Sequence, residues 1–232
     1  MTEFVFPAPE QPSLAVIGSD ACFPIRRVFC VGRNYAAHAR EMGNDPDREP
    51  PFFFMKPADA IVPANRTIQY PSLTSNLHHE VEMVIAIGRT GSNIDSGLAL
   101  DYVWGYGVGI DLTRRDIQDV AKKMGRPWDW AKGFDSSGPC GALVPASSIG
   151  HPSTGNIWLN VNGTVRQNGN LDEMIWSVAE IVAAISMSVT IAPGDLIFSG
   201  TPAGVSALQP GDVVTAGIEG IGEIFFEVAG TD

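Results

Sequence analysis

The chain has 232 residues, 44% of them hydrophobic and 18% charged, which is enough to bury about 70% of the unfolded surface in one large domain or two small ones. A net charge of −11 repels phosphate backbones and argues against a nucleic-acid partner. Three cysteines, an odd count with no CxxC pair, give no disulfide framework or zinc site and point to the reducing cytoplasm.

The first twelve residues carry neither a basic nor an apolar leader segment, so no signal peptide is expected. The longest apolar stretch, 181–192, is too short and too rich in Ser and Thr to span a bilayer. Residues 1–20 are Pro-rich and read as an arm, with a strand at 14–17, laid on a single main domain at 21–232. Strands are expected at 28–31, 52–55, 80–87, 103–110, 157–161, 196–199, 213–218 and 223–228. Asn162-Gly163 and Glu219-Gly220 read as hairpin turns.

Three helices are expected. One covers 34–42, with Asn34 as its N-cap and Gly43 as its stop. The second covers 113–123, with Thr113 and Asp116 resembling a capping box and Gly125 and Pro127 ending it. The third covers 174–187, apolar on a helical period. Strands outnumber helices and do not alternate regularly with them, so an α+β fold on a curled mixed sheet follows, rather than a doubly wound sheet.

The segment 77–87 reads as one strand, and side chains on a strand alternate faces, so Glu80 and Glu82 point the same way. Two neighbouring carboxylates repel, and a bound cation relieves them. Oxygen ligands without Cys suit Mg2+, Mn2+ or Ca2+. Taken alone, Glu-x-Glu is more often an exposed strand face. Asp111 adds a third acid at a strand-to-helix junction, where its commoner role is local turn chemistry. Arg115 and Gln118 share one helical face and could serve as an oxyanion donor pair, or lie on a solvated face with Arg115 paired to Asp116 or Asp119. His38 and Glu41, three residues apart, suit a general base oriented by a carboxylate; a surface pair is the bland alternative.

Seven stretches in one order carry a resemblance to the fumarylacetoacetate hydrolase family, and within it to fumarylpyruvate hydrolases and related acylpyruvases. They are GRNYAAHAREMG (32–43), PPFFFMKPADAIV (50–62), NLHHEVEMVIAIG (76–88), DYVWGYGVGIDLTRRDIQ (101–118), GRPWDWAKGFDSSGPCG (125–141), LNVNGTVRQ (159–167) and PGDLIFSGTPAGV (193–205). The resemblance implies a mixed β-sheet roll, commonly dimeric. It implies that Glu80, Glu82 and Asp111 hold Mg2+ or Mn2+, with Ca2+ a possible stand-in in crystals. It implies that His38 and Glu41 activate water on a segment that acts as a lid, and that Arg115, Gln118 and Lys132 face the developing negative charge. Arg33, Lys56 and Thr201 match positions near the substrate, a small anionic diketo acid. The expected activity is hydrolysis of the C–C bond of an acylpyruvate, with fumarylpyruvate first. Two alternatives stay open: an oxaloacetate decarboxylase or tautomerase on the same scaffold, and a non-catalytic protein stabilised by a closed Ca2+ cage. The acyl group is expected to be read by the arm and by residues 44–49.

Overall fold

The computed structural model describes residues 4–42 and 49–230; the expected helix stop at Gly43, and all of the 44–49 loop except Glu49, lie outside the described residues. Two sheets build the body. The larger is mixed, in the order Phe52–Lys56, Arg27–Gly32, Asp195–Phe198, Val81–Ile87, Val103–Ile110, Gly138–Cys140 and Ile61–Pro63, with Val144–Pro145 also pairing with Val103–Ile110. Its neighbours are antiparallel except Arg27–Gly32 with Asp195–Phe198 and Gly138–Cys140 with Ile61–Pro63, which run parallel. The second sheet runs Thr164–Asn170, Asn156–Val161, Val213–Ile218, Gly222–Ala229 and Thr67–Gln69. This is the mixed-sheet architecture with short helices that the sequence implies.

Val81–Ile87 lies mid-sheet with all seven residues buried, so both of its faces are covered. Alternation then sorts its side chains. Val81, Met83, Ile85 and Ile87 join the main core, with Ile157, Leu159, Val214 and Phe226 of the second sheet. Val84 and Ala86 face the other way, against Cys30, Phe198 and the Leu14 and Phe23 side chains of an N-terminal hairpin. That hairpin pairs Ser13–Val16 with Ser19–Pro24. Glu82 has the parity of Val84, so it stands at the end of this second face.

The hairpin turn at Asn162-Gly163 is present, with φ of 52° and 75°, as a tight turn of that hand requires. Gly220, φ 76°, turns the chain between Val213–Ile218 and Gly222–Ala229. Gly125 ends the Arg115–Met124 helix in the left-handed conformation at φ 62°. The expected strands at 103–110 and 213–218 match, and the other expected strands are displaced by one or two residues. Thr164–Asn170 is a strand that the hydrophobic pattern does not announce, because most of its side chains are exposed or half-buried.

The helix starts differ from expectation, each for a visible reason. The first helix is Ala36–Glu41, capped at Tyr35 with no side-chain bond. The Asn34 side chain is spent on tertiary structure instead: it donates to the carbonyls of Trp176 and Ser199 and accepts from Trp176 N–H. The Arg115–Met124 helix has no capping box: Thr113 turns its hydroxyl to the Asp111 carbonyl, and Asp116 accepts from Thr74 and the Ser75 N–H. The third helix is Val178–Ser188, with a genuine capping box between Ser177 and Glu180. The expected single strand 77–87 is broken as well. Leu77–His78 belongs to a separate small sheet, and the Val81 N–H is taken by the Gln167 side chain rather than by a neighbouring strand.

No helix among the described residues is long and apolar enough to cross a membrane. Cys22, Cys30 and Cys140 are all free.

One buried charge ties the sheet to its entry segment. Asp195 is fully buried and accepts from Arg26, from both Arg27 Nε and Nη2 in a fork, and from Ala192 N–H. Asp195→Ala leaves partly exposed arginines that can rehydrate, and an unsatisfied Ala192 N–H. It is expected to cost about 1–3 kcal/mol, read as a lower urea midpoint at unchanged slope; an unmoved midpoint would remove Asp195 from the stability argument.

Candidate functional site

The strand register assembles an acidic cluster. Val81 pairs with Ile110 and Glu82 with Gly109, and the ladder is extended one step by Asp111 N–H donating to the Glu80 carbonyl at 2.8 Å. This brings Glu80 and Asp111 opposite one another with Glu82 beside them. Carboxylate oxygens of the three lie within 4.8 Å of one another, and all three residues are buried.

Cations surround them. Lys132 Nζ bridges Glu80 Oε2 and Asp111 Oδ2, each at 2.7 Å. Arg115 bonds the other Glu80 oxygen and donates to Gln118 Oε1 at 2.6 Å. Lys56 Nζ lies 2.8 Å from Asp111 Oδ1, while its hydrogens are aimed at the carbonyls of Leu112 and Lys132. Asp111 Oδ1 therefore has a charge beside it but no aligned donor, and is buried without a hydrogen bond. Glu82 receives the Gly200 N–H at 2.7 Å on one oxygen.

These surroundings split the acids electrostatically. Burial pushes the Glu80 carboxyl up, but Lys132, Arg115 and His38 outweigh it and hold it well below the usual carboxylate range. Burial, then the Asp111 and Glu80 charges, push Glu82 well above that range. Lys132 is held above an ordinary lysine because Asp111 and Glu80 overcome its burial. A buried oxygen without a donor, a carboxyl that resists ionisation and an all-oxygen donor set together fit a hard divalent cation, with Glu80, Glu82 and Asp111 as the residues that could hold it.

The other expected residues gather around this cluster. His38, Arg33, Thr201, Arg115, Gln118 and Lys132 line the same pocket as the three acids. His38 is buried, with Nδ1 3.2 Å from Glu41 Oε2. Glu41 is braced by the Gly204 N–H, 3.1 Å from each of its oxygens. A carboxylate only accepts, so Nδ1 carries the hydrogen and Nε2 keeps the lone pair. Burial lowers the His38 pKa below 6.5, against the opposing pull of Glu80 and of Glu41. Arg33 is held at a left-handed φ of 60° at the pocket wall, a conformation unusual for a residue with a side chain. Lys56 stands apart from these: its ammonium lies behind Asp111 and is committed to Asp111 and two carbonyls. Sequence reasoning passed over Phe54, Lys122 and Trp128, which also line the pocket.

The chain belongs to the fumarylacetoacetate hydrolase family: residues 27–229 match the family model described as fumarylacetoacetate (FAA) hydrolase C-terminal. It is 60% identical, with a TM-score of 0.94 and full coverage of both chains, to a Burkholderia cenocepacia protein whose crystal structure is described as that of a candidate fumarylpyruvate hydrolase. A crystal structure of fumarylpyruvate hydrolase from Pseudomonas aeruginosa, in complex with Mn2+ and pyruvate, is 52% identical with a TM-score of 0.96, covering 98% of this chain and 99% of that one. The mitochondrial oxaloacetate tautomerase of Rattus norvegicus is 43% identical over 203 residues, 88% of this chain and 91% of that protein.

If the acidic cluster is the cation site, Glu82→Ala should lower the Mn2+ content of protein purified with the metal, read by elemental analysis against the unsubstituted chain. Equal metal content would remove Glu82 from the ligand set.

Proposed function

We propose that this protein hydrolyses the C–C bond of an acylpyruvate, with fumarylpyruvate giving fumarate and pyruvate, using Mg2+ or Mn2+ held by Glu80, Glu82 and Asp111. The observation that carries the reading is a buried imidazole, oriented by a braced carboxylate, in the same pocket as three converging acids.

Glu80, Glu82 and Asp111 would hold the divalent cation, which would supply Lewis-acid stabilisation of the negative charge that develops during cleavage. His38 Nε2 takes a proton from water as that water adds to the distal carbonyl. Glu41 holds the ring and stabilises the imidazolium, acting through His38. Arg115, Gln118 and Lys132 set the donor field for the tetrahedral oxyanion, while Arg115 and Lys132 also fix the acids. The bond between the hydrated carbonyl carbon and the methylene carbon then breaks. Its electron pair passes into the pyruvate enolate, and the proton on His38 returns to the methylene carbon. Water thus ends as the new carboxyl of the acid product. Arg33 and Thr201 contact the substrate, and Lys56 supports the site from behind Asp111.

Two further parts of the reading concern assembly and place. Phe52–Lys56 is an edge strand carrying exposed Phe52 and Met55, and exposed Val120, Met124 and Trp130 lie on the following helical segments. A second copy of the chain would cover such a surface, so we read the protein as a homodimer. Three free cysteines agree with a reducing, cytoplasmic setting.

The second reading is an oxaloacetate tautomerase or decarboxylase, favoured by the Rattus norvegicus relative. It uses the same acids but adds no water. Purified protein with Mg2+ or Mn2+, offered a panel of acylpyruvates and oxaloacetate, separates these readings. Fumarate plus pyruvate supports the hydrolase. Enol–keto exchange or CO2 from oxaloacetate alone supports the second reading, and metal binding without turnover of any substrate supports a non-catalytic role.

His38→Ala should lower hydrolysis about 10²–10⁴-fold while metal content holds. Because the His38 pKa is depressed, the base form dominates at neutrality, and the acid limb of kcat/KM should have its midpoint below the 6.5 of a free imidazole. A rate that already declines above pH 7 would point to a different base.

A further inference from the structure

The reaction scheme makes no use of Gln167, a fully buried side chain on the second sheet, yet its hydrogen bonds reach the pocket. Its amide orientation is fixed from both ends. Oε1 accepts the Val81 N–H at 3.1 Å, and Nε2 donates to the Pro202 carbonyl at 2.8 Å. A backbone N–H can only donate and a carbonyl can only accept, so the flipped amide is excluded. The second Nε2 hydrogen goes to Thr201 Oγ1 at 2.7 Å. His79 Nδ1 lies 2.9 Å from the same Oε1; facing an acceptor, it must carry a hydrogen.

The consequence falls on Thr201. Its hydroxyl is an acceptor on the protein side, so its one hydrogen is left for the other side. Thr201 is 2% exposed and lines the pocket with His38 and the three acids. We infer that Gln167 is a positioning residue that makes Thr201 an obligate hydrogen-bond donor to an anionic substrate oxygen, the carboxylate of the 2-oxo acid. The chemical class of that oxygen rests on the proposed function; the donor direction does not. The bonds into Gln167 from Val81 and His79 polarise the amide in the same sense and strengthen its grip on Thr201.

Gln167→Met keeps the length and removes both N–H donors, so the Thr201 hydroxyl loses the partner that fixes the direction of its hydrogen. A hydrogen bond to a charged group is at stake. Accordingly KM for the acylpyruvate should rise about 10- to 100-fold with kcat changed far less, and the Kd of pyruvate for the Mn2+-loaded protein should weaken by a similar factor in calorimetry. Thr201→Val should match that loss, and Thr201→Ser should lose less. The double variant Gln167→Met with Thr201→Val should be no worse than Thr201→Val alone, because Gln167 acts through that hydroxyl. Additive losses would make Gln167 a structural residue and overturn the inference.

A measurement on the unsubstituted protein stands apart from any folding defect. In 15N-histidine-labelled protein, the His79 resonance, assigned by its loss in His79→Gln, should show Nδ1 bearing hydrogen; a bare Nδ1 would overturn the donor directions. If the unsubstituted protein binds no pyruvate, the substrate reading falls while the His79 signal still decides the direction of the bonds.

Discussion

Three carboxylates buried within 4.8 Å of one another are a costly arrangement, since each loses hydration and each repels the other two. The site exists because cations face them at close range. Lys132 spans Glu80 and Asp111, Arg115 holds Glu80, and Lys56 stands behind Asp111. Three acids meet three bases, but the balance is uneven. Glu80 gains two strong partners and is held ionised; Glu82 gains one backbone N–H and resists ionisation. A divalent cation therefore relieves Glu82 most, and the most strained member of the set is also a candidate ligand. Burial makes the cation's contribution large, because the same low-dielectric setting that penalises an isolated carboxylate strengthens its bond to an ion.

The segment from Ser199 to Gly204 couples the parts of the site to one another. The Ser199 carbonyl accepts from Asn34, at the foot of the His38 helix. Gly200 N–H holds Glu82, Thr201 receives Gln167, and Gly204 N–H braces Glu41. Two of these contacts depend on glycine. Gly200 sits at φ +94°, and an added Cβ would stand 2.7 Å from Asn34 Cβ; Gly204 sits at φ +99°, with an added Cβ 2.0 Å from the Arg166 carbonyl oxygen. Any L side chain there would force the backbone away and loosen Glu82 or Glu41. Glu82, Glu41 with the imidazole it orients, and Thr201 are thus all held by one stretch of backbone, although they come from distant parts of the sequence.

How legible this was in the sequence depends on whether a residue's role is local. Period-two alternation placed Glu82 on a buried strand because its neighbours Val81 to Ile87 announce the strand themselves. Asp111 was legible as an acid at a strand's end, and His38 with Glu41 as an i,i+3 pair. Asn34 misled because a cap and a tertiary clamp use the same side chain, and its partners lie 142 and 165 residues away. The Ser177–Glu180 capping box was present in the sequence, but the apolar run beginning at 174 masked it and set the helix start too early. Gln167 closes one of the stretches that carry the resemblance, but nothing local gave it a role: it lies on a largely exposed strand, and its partners Val81 and Thr201 are 86 and 34 residues distant. Local chemistry is readable from spacing; a long-range hydrogen bond is not.

The field of the pocket runs against that of the molecule. The chain carries a net charge of −11, yet Arg33, Arg115, Lys122 and Lys132 all line one pocket. Lys132 and Arg115, with Lys56 behind, are ion-paired to the acids of the cluster. Arg33 and Lys122 are not bonded to the acidic cluster, and a bound cation would add two more positive charges. The Lys122 ammonium is already disfavoured where it stands, since burial and then Arg115 lower its pKa. An anion entering the pocket would relieve it. Lys122 has Asp119 at 3.9 Å, and under the proposed function a monoanionic acylpyruvate would satisfy the cation through its 2-oxo acid end while bringing no further negative charge to Lys122 and Arg33. A second carboxylate at the acyl end, as in the fumaryl group proposed above, would bring a negative charge to Arg33 and Lys122 as well as to the cation.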